Sequence, residues 1–243
     1  ITVTPKPTPS NSSSNPTQSD SSSKPEEEIK YIDYDFKYLN NTYYKLINDK
    51  KLTVAFIGGS VTEGTGAKNP TTDSWPRKIC EKLIAEYGAN VIEKKQSIGG
   101  TDSYFGAFRY THDVAPLNPD LLFVEFAIND KYNGHSYDQV VKNSESIIRK
   151  AYEINPKIDI VYVLTFDKAL KDADYDQLRA HKDVAEKYGL LCINLRELLG
   201  PTIEFPTYYD GDVHPNTSGY KIYASTIYDE LMKHMPRKRD GIA

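Results

Sequence analysis

Four short segments of the 243-residue chain carry hydroxyl, amide and imidazole groups of the types used in acyl transfer. They are Ile57-Gly58-Gly59-Ser60-Val61-Thr62-Glu63-Gly64, Ser97-Ile98-Gly99-Gly100-Thr101-Asp102-Ser103, Phe126-Ala127-Ile128-Asn129-Asp130 and Asp210-Gly211-Asp212-Val213-His214-Pro215-Asn216. A serine hydroxyl is a weak nucleophile unless an adjacent base takes its proton, and a histidine is such a base. Attack on an ester carbonyl generates an oxyanion, which preorganised N–H donors must stabilise. Taken singly, each segment has a plainer reading. The Gly-Gly-Ser turn has neither the Gly-Lys-[Ser/Thr] ending of a phosphate loop nor the spacing of a dinucleotide-binding turn. An Asn-Asp pair after a strand serves as a turn or helix cap, and a histidine before Pro-Asn fits an ordinary loop. The ordered combination of Ser, Gly, Asn and His sets this chain apart.

Positioning such groups requires a rigid scaffold, and the hydrophobic pattern supplies one. Apolar strand-like runs occur at 52–57, 90–95, 120–127, 159–166 and 190–195. Three of them are nearly continuous, which signals strands covered on both faces of a parallel sheet. Helical patterns lie between. Residues 136–152 open with Ser136 and Gln139 at capping-box spacing, and 217–234 carry Tyr220, Tyr223, Ala224, Ile227, Tyr228 and Leu231 on one stripe. Tyr43, Tyr44, Leu46 and Ile47 suit a further amphipathic helix. The alternation predicts an α/β protein, a three-layer α/β/α sandwich around a five-stranded parallel sheet. Ligands of such sheets sit beyond the carboxyl ends of the strands, where the first three segments begin.

In these segments the chain resembles the SGNH (GDSL-like) hydrolase superfamily, whose four sequence blocks supply Ser, Gly, Asn and His. The resemblance covers roughly residues 50–235 and implies a flavodoxin-like fold with esterase or acyl-hydrolase activity and no cofactor or metal. It implies Ser60 as nucleophile, Ser60, Gly100 and Asn129 as oxyanion donors, and His214 as base. The longer stretches IGGSVTEGTGA, IGGTDSYFGAFR and DLLFVEFAIND are similar to a bacterial subgroup associated with polysaccharide deacetylation. Two positions depart from the family pattern. Gly59 stands where the Gly-Asp-Ser block has its acid. Gly211 stands three residues before the histidine, where the family places its third triad member. Asp212, or alternatively Asp210, is then expected to orient the imidazole, and a Ser–His dyad is the remaining option.

Other residues carry weaker expectations. Arg109 is a substrate-binding candidate, with an i,i+4 salt bridge to Asp113 as the structural alternative. Glu63 and Asp130 are expected to bond loop backbone. His112, His135, His181 and His234 have no metal-ligand spacing with one another and read as surface residues. Cys80 and Cys192 read as two buried free thiols.

Composition narrows the function classes. The chain carries 30 Lys+Arg against 34 Asp+Glu, a net charge of −4. That argues against a nucleic-acid binder, which needs a concentrated basic face. No run of ~18 apolar residues suggests a membrane-spanning helix. Residues 1–25 hold 8 Ser, 4 Thr and 5 Pro, a composition that cannot bury enough surface to order itself. Residues 1–27 are therefore expected to be a disordered spacer and 28–243 a catalytic domain. Such spacers occur on secreted proteins, so the expectation is an extracellular fragment of something longer, tethered to a binding or docking module. The expected activity is removal of acetyl or short acyl groups from a polysaccharide. The alternatives are a lipase or thioesterase for longer chains and a non-catalytic carbohydrate-binding domain of the same fold.

Overall fold

The computed structural model describes residues 37–211 and 213–236. The expected spacer, its boundary at 27–28 and Asp212 lie outside the described residues.

Five strands form one sheet: β1 (Lys51–Gly58), β2 (Asn90–Ser97), β3 (Leu121–Glu125), β4 (Asp159–Leu164) and β5 (Leu191–Asn194). All neighbours pair in parallel, in the order β2-β1-β3-β4-β5. This is the flavodoxin-like order, in which the chain reverses direction across the sheet between β1 and β3. The main helices are α1 (Ser60–Glu63), α2 (Trp75–Tyr87), α3 (Ser103–Asp113), α4 (Ala127–Tyr132), α5 (Tyr137–Ile154), α6 (Asp176–Lys187) and α7 (Thr217–Leu231). Among the described residues, no helix is long and apolar enough to cross a membrane.

Strand alternation sorts the side chains into two cores. Leu52, Val54 and Phe56 of β1 pack with Phe123 and Val161 against Trp75, Ile79 and Leu83 of α2 and Tyr223 and Ile227 of α7. Ala55 and Ile57 face the other way, with Val124, Ile160 and Tyr162, against Tyr110 of α3, Ile147 and Ile148 of α5, and Val184 of α6. The sheet is covered on both faces, as its continuous apolar runs require. Trp75 packs edge-on against the stacked rings of Phe56 and Phe123, a three-ring cluster under the first strand's C-terminal half.

The element boundaries refine the sequence reading. The capping box is present: Ser136 Oγ accepts the Gln139 N–H, and Gln139 Oε1 accepts the Ser136 N–H at 2.8 Å. Strands β3, β4 and β5 end before their apolar runs do. Ala127 opens α4 and Leu195 opens a short helix, both buried. An apolar run records burial, and burial continues from a strand into the helical turn after it. The last helix ends at Leu231 rather than 234. Residues Asn40–Tyr44 and Lys45–Asp49 are helical, the second segment with wider π turns. Cys80 is buried, whereas Cys192 is only partly so, correcting the expectation of two buried thiols.

Candidate active site

β1 and β3 are adjacent, and each leads directly into a helix at its carboxyl end. β1 delivers Ser60 as the first residue of α1, and β3 delivers Asn129 within the first turn of α4. At the first helical position the Ser60 N–H has no intrahelical acceptor and is free to serve as a donor. The two glycines before Ser60 are dictated by close approach. A Cβ on Gly58 would lie 2.4 Å from Thr62 Oγ1 and 2.8 Å from the Glu125 carbonyl oxygen. A Cβ on Gly59 would lie 2.4 Å from Asn129 Oδ1. The glycine that replaces the family's acid thus lets the Asn129 carboxamide close against the nucleophile turn.

The second block closes from the β2 side. Ile98 N–H bonds the Gly58 carbonyl at 3.1 Å, and a Cβ on Gly99 would sit 3.7 Å from Ser60 Cβ and 2.9 Å from Glu63 Oε2. Gly100 follows with φ +75°, a left-handed conformation that favours glycine. Asp102 then caps α3, accepting the Phe105 N–H at 2.9 Å. Asp130 is fully buried and accepts the Ser103 N–H at 2.9 Å, fixing the start of α3 to α4. The expectation that Asp130 bonds backbone is met at that atom.

His214 reaches the site from the other end of the chain. Its Nε2 lies 2.8 Å from Ser60 Oγ, a full hydrogen bond. The loop holding it is closed by a bridge between Tyr209 and Pro215. Asn216 caps α7 by accepting the Ser218 and Gly219 N–H groups at 2.9 and 3.0 Å. Three contacts then clamp this loop to the segment after Ser60. Tyr220 donates to the Thr65 carbonyl at 2.7 Å, and Lys68 N–H donates to Thr217 Oγ1 at 2.8 Å. Gly66, at φ +92°, leaves no room for a Cβ beneath the Pro215 carbonyl, which would be 2.6 Å away. Burial pushes the His214 pKa below its ordinary value, so the imidazole stays neutral and able to accept a proton to lower pH.

The candidate carboxylates separate. Asp210 accepts a hydrogen bond from Asn216 Nδ2 at 3.0 Å and so belongs to the helix-capping network. Asp212 lies outside the described residues. Of the two roles open to Arg109, the structure displays the structural one. Its buried guanidinium pairs with Asp113 at 3.1 Å and donates to the Gln96 carbonyl at the end of β2.

Several residues of the site's foundation escaped the sequence reading. Glu125 is wholly buried at the end of β3 and accepts from Thr62 Oγ1 and Thr165 Oγ1, each at 2.8 Å. It ties the nucleophile's helix to the end of β4, and burial pushes its carboxyl pKa up. His181, expected at the surface, is buried, with Nε2 2.7 Å from Asp130 Oδ2 and Nδ1 3.0 Å from Ser144 Oγ. It sits on the inward face of α6 with Val184, a helical spacing that was available as a signal. Asp102, Asp130 and His135 bring ligand-type atoms within 4.8 Å of one another. These atoms already bond Phe105, Ser103, His181, Asn133 and each other, which accounts for the cluster.

The chain is similar to known proteins in sequence and in fold. The sequence model of the GDSL-like lipase/acylhydrolase family matches residues 56–222. A two-domain esterase active on acetylated mannans superposes with a TM-score of 0.68 at 25% identity, over 79% of this chain and 52% of that one. The same esterase crystallised with mannopentaose gives 0.70 at 25% identity, over 81% and 54%. The chain therefore spans about half the length of that relative. A lipase/acylhydrolase from Enterococcus faecalis gives 0.62 at 16% identity, over 77% of this chain and 99% of that one, and shares the fold. No curated protein sequence matches.

Proposed function

This chain belongs to the GDSL-like lipase/acylhydrolase family, and on that premise we propose that it is a serine esterase removing acetyl or short acyl groups from a polysaccharide. The observation that carries the proposal is the 2.8 Å hydrogen bond between His214 Nε2 and Ser60 Oγ. In the reaction, Ser60 Oγ attacks the ester carbonyl carbon while His214 takes its proton. The Ser60 and Gly100 N–H groups and the Asn129 carboxamide receive the oxyanion. The tetrahedral intermediate expels the sugar oxygen, which leaves with the proton held by His214. Water then gives a proton to His214 and attacks the acetyl-serine. The second tetrahedral intermediate expels Ser60 Oγ, which takes that proton back from His214 as the acetyl group leaves as acetic acid. Every bond formed and broken is served by these groups.

For the orienting carboxylate we assign Asp212 in preference to Asp210, because Asp210 is engaged by Asn216. The sugar-ester substrate is supported by the mannan-active structural relative. An extracellular enzyme tethered to a second module is supported by the Ser/Thr/Pro-rich start of the chain. The test is acetate release from acetylated mannan, acetylated xylan and p-nitrophenyl acetate, with an acyl-length series on p-nitrophenyl esters. The proposal requires release from at least one glycan and a fall in kcat/KM as the acyl chain lengthens. A rate that rises with chain length would instead make this a lipase or thioesterase.

A further inference from the structure

We propose that the outward face of α3, formed by Tyr104, Phe105 and Phe108, is a stacking platform for the neutral sugar chain that bears the scissile ester. The inference rests on the polysaccharide-esterase reading and assigns a substrate subsite to it.

The sequence of α3 splits its residues cleanly. Ser103, Gly106, Ala107 and Tyr110 face the protein, and Gly106 is required there because a Cβ would press to 2.6 Å from the Phe126 ring. The opposite face in the first two turns should be polar on a surface helix. Instead Tyr104, Phe105 and Phe108 stand there, 63%, 40% and 75% exposed. Tyr104 and Phe108 are one helical turn apart, about 6 Å along the axis, close to the length of one pyranose unit. Phe105 is steadied from below by the Arg109 guanidinium, 6.0 Å from its ring centre. Ile98, 42% exposed, is a further apolar side chain in the loop entering this helix. Next along that loop is Gly99, whose Cβ position lies 3.7 Å from Ser60 Cβ.

Three features select the occupant. The patch lies on the helix that directly follows the loop bordering the nucleophile, and Ser103 at the start of that helix is bonded to Asp130, the residue after Asn129, so a chain lying on it can run to the reacting centre. It is aromatic rather than aliphatic, presenting broad flat faces suited to the C–H faces of sugar rings rather than a groove enclosing an acyl chain. It carries no charge of its own and is flanked by exposed Thr111 and His112, so apolar contact is combined with hydrogen-bonding groups at the rim. Among the described residues, the other exposed rings and chains, Tyr44, Ile84, Tyr132, Ile154 and Leu198, each stand on a separate element.

The experiment compares wild type with Tyr104→Ala, Phe108→Ala, the double variant and Tyr44→Ala, a similarly exposed tyrosine before the sheet's N-terminal edge. Kinetics on p-nitrophenyl acetate report the reacting centre alone, and kinetics on acetylated mannan and xylan report the chain. Each platform variant should leave the small ester within about twofold of wild type and lower kcat/KM on a glycan roughly 3- to 10-fold, mainly through KM, with larger loss in the double variant. Tyr44→Ala should change neither. Equal losses on both substrates, or no loss on glycan, would overturn the proposal. So would a preferential loss on long-chain p-nitrophenyl esters, or a change of oligomeric state in light scattering, which would assign the face to an acyl chain or to a second copy. Calorimetric titration of the Ser60→Ala variant with mannopentaose and xylopentaose, with and without the platform rings, separates this proposal from the reading beneath it. Binding that depends on the rings supports the platform even if the wild type deacetylates no glycan. Absence of binding to either probe overturns the platform even if the esterase is active.

Discussion

Among the described residues, two Ser–His pairs have nearly the same geometry. At the strand ends, Ser60 Oγ lies 2.8 Å from His214 Nε2. Between α5 and α6, Ser144 Oγ lies 3.0 Å from His181 Nδ1, and His181 Nε2 lies 2.7 Å from an Asp130 carboxylate oxygen. Judged on distances alone, the second is the more complete Ser-His-Asp array. It is sealed, however: Ser144, His181 and Asp130 are 0%, 1% and 0% exposed. No ester can reach Ser144. The buried array does structural work, holding the Ser103 N–H and thereby α3, whereas the half-open pair faces a turn lined by Gly59, Gly99 and Asn129. The hydrogen-bond geometry is shared by both pairs, and access decides which of them can perform catalysis.

Substitutions can break that comparison, beginning with the largest effect. Ser60→Ala and His214→Ala should each lower kcat by about 10⁴-fold or more with little change in Tm, while Ser144→Ala leaves turnover on p-nitrophenyl acetate near wild type. Equal losses at Ser60 and Ser144 would erase the distinction. Asn129→Ala should cost roughly 10²–10³ in kcat, the magnitude expected for one oxyanion donor, with the folded state retained in circular dichroism. His181→Ala should act in the opposite sense. It should lower unfolding free energy by about 3 kcal/mol, because a buried carboxylate and hydroxyl lose their partner, with kcat reduced less than tenfold.

These contrasts also show which parts were legible in the chain itself. Strand and helix order followed from continuous apolar runs and a capping box, because burial on two faces leaves a direct mark on composition. Ser60, Asn129 and His214 were visible as residue types after strands or before a helix, although 154 positions separate the serine and the histidine. The spacing of His181 with Val184 places it on the inward face of α6, but what a polar side chain does there is explained only by its partners, Asp130 and Ser144. Glu125 was hidden in an apolar run and is explained only by Thr62 and Thr165, which come from other strands' ends. The face of α3 is hidden in the sequence for a different reason. Tyr104, Phe105 and Phe108 resemble core residues in sequence, and only the turn of the helix shows that they point outward.

Smaller effects sharpen the picture. Burial lowers the His214 pKa, so the acid limb of kcat/KM should fall below about pH 6.5, the ordinary histidine value. The sign follows from the base requirement: activity is present while the imidazole is neutral and is lost as pH drops through its pKa. An acid limb above that value would mean that a carboxylate holds the imidazolium and outweighs desolvation. Smallest of all, Ser144→Ala should cost about 1 kcal/mol of stability, the worth of one hydrogen bond, measured by urea unfolding.

The most direct test of the account is to treat the folded protein with a fluorophosphonate, which captures activated serines, and to map the adduct by peptide mass spectrometry. The account predicts one adduct, on Ser60, abolished by His214→Ala and undiminished by Ser144→Ala. An adduct on Ser144, or full esterase activity with Ser60 unlabelled, would contradict it.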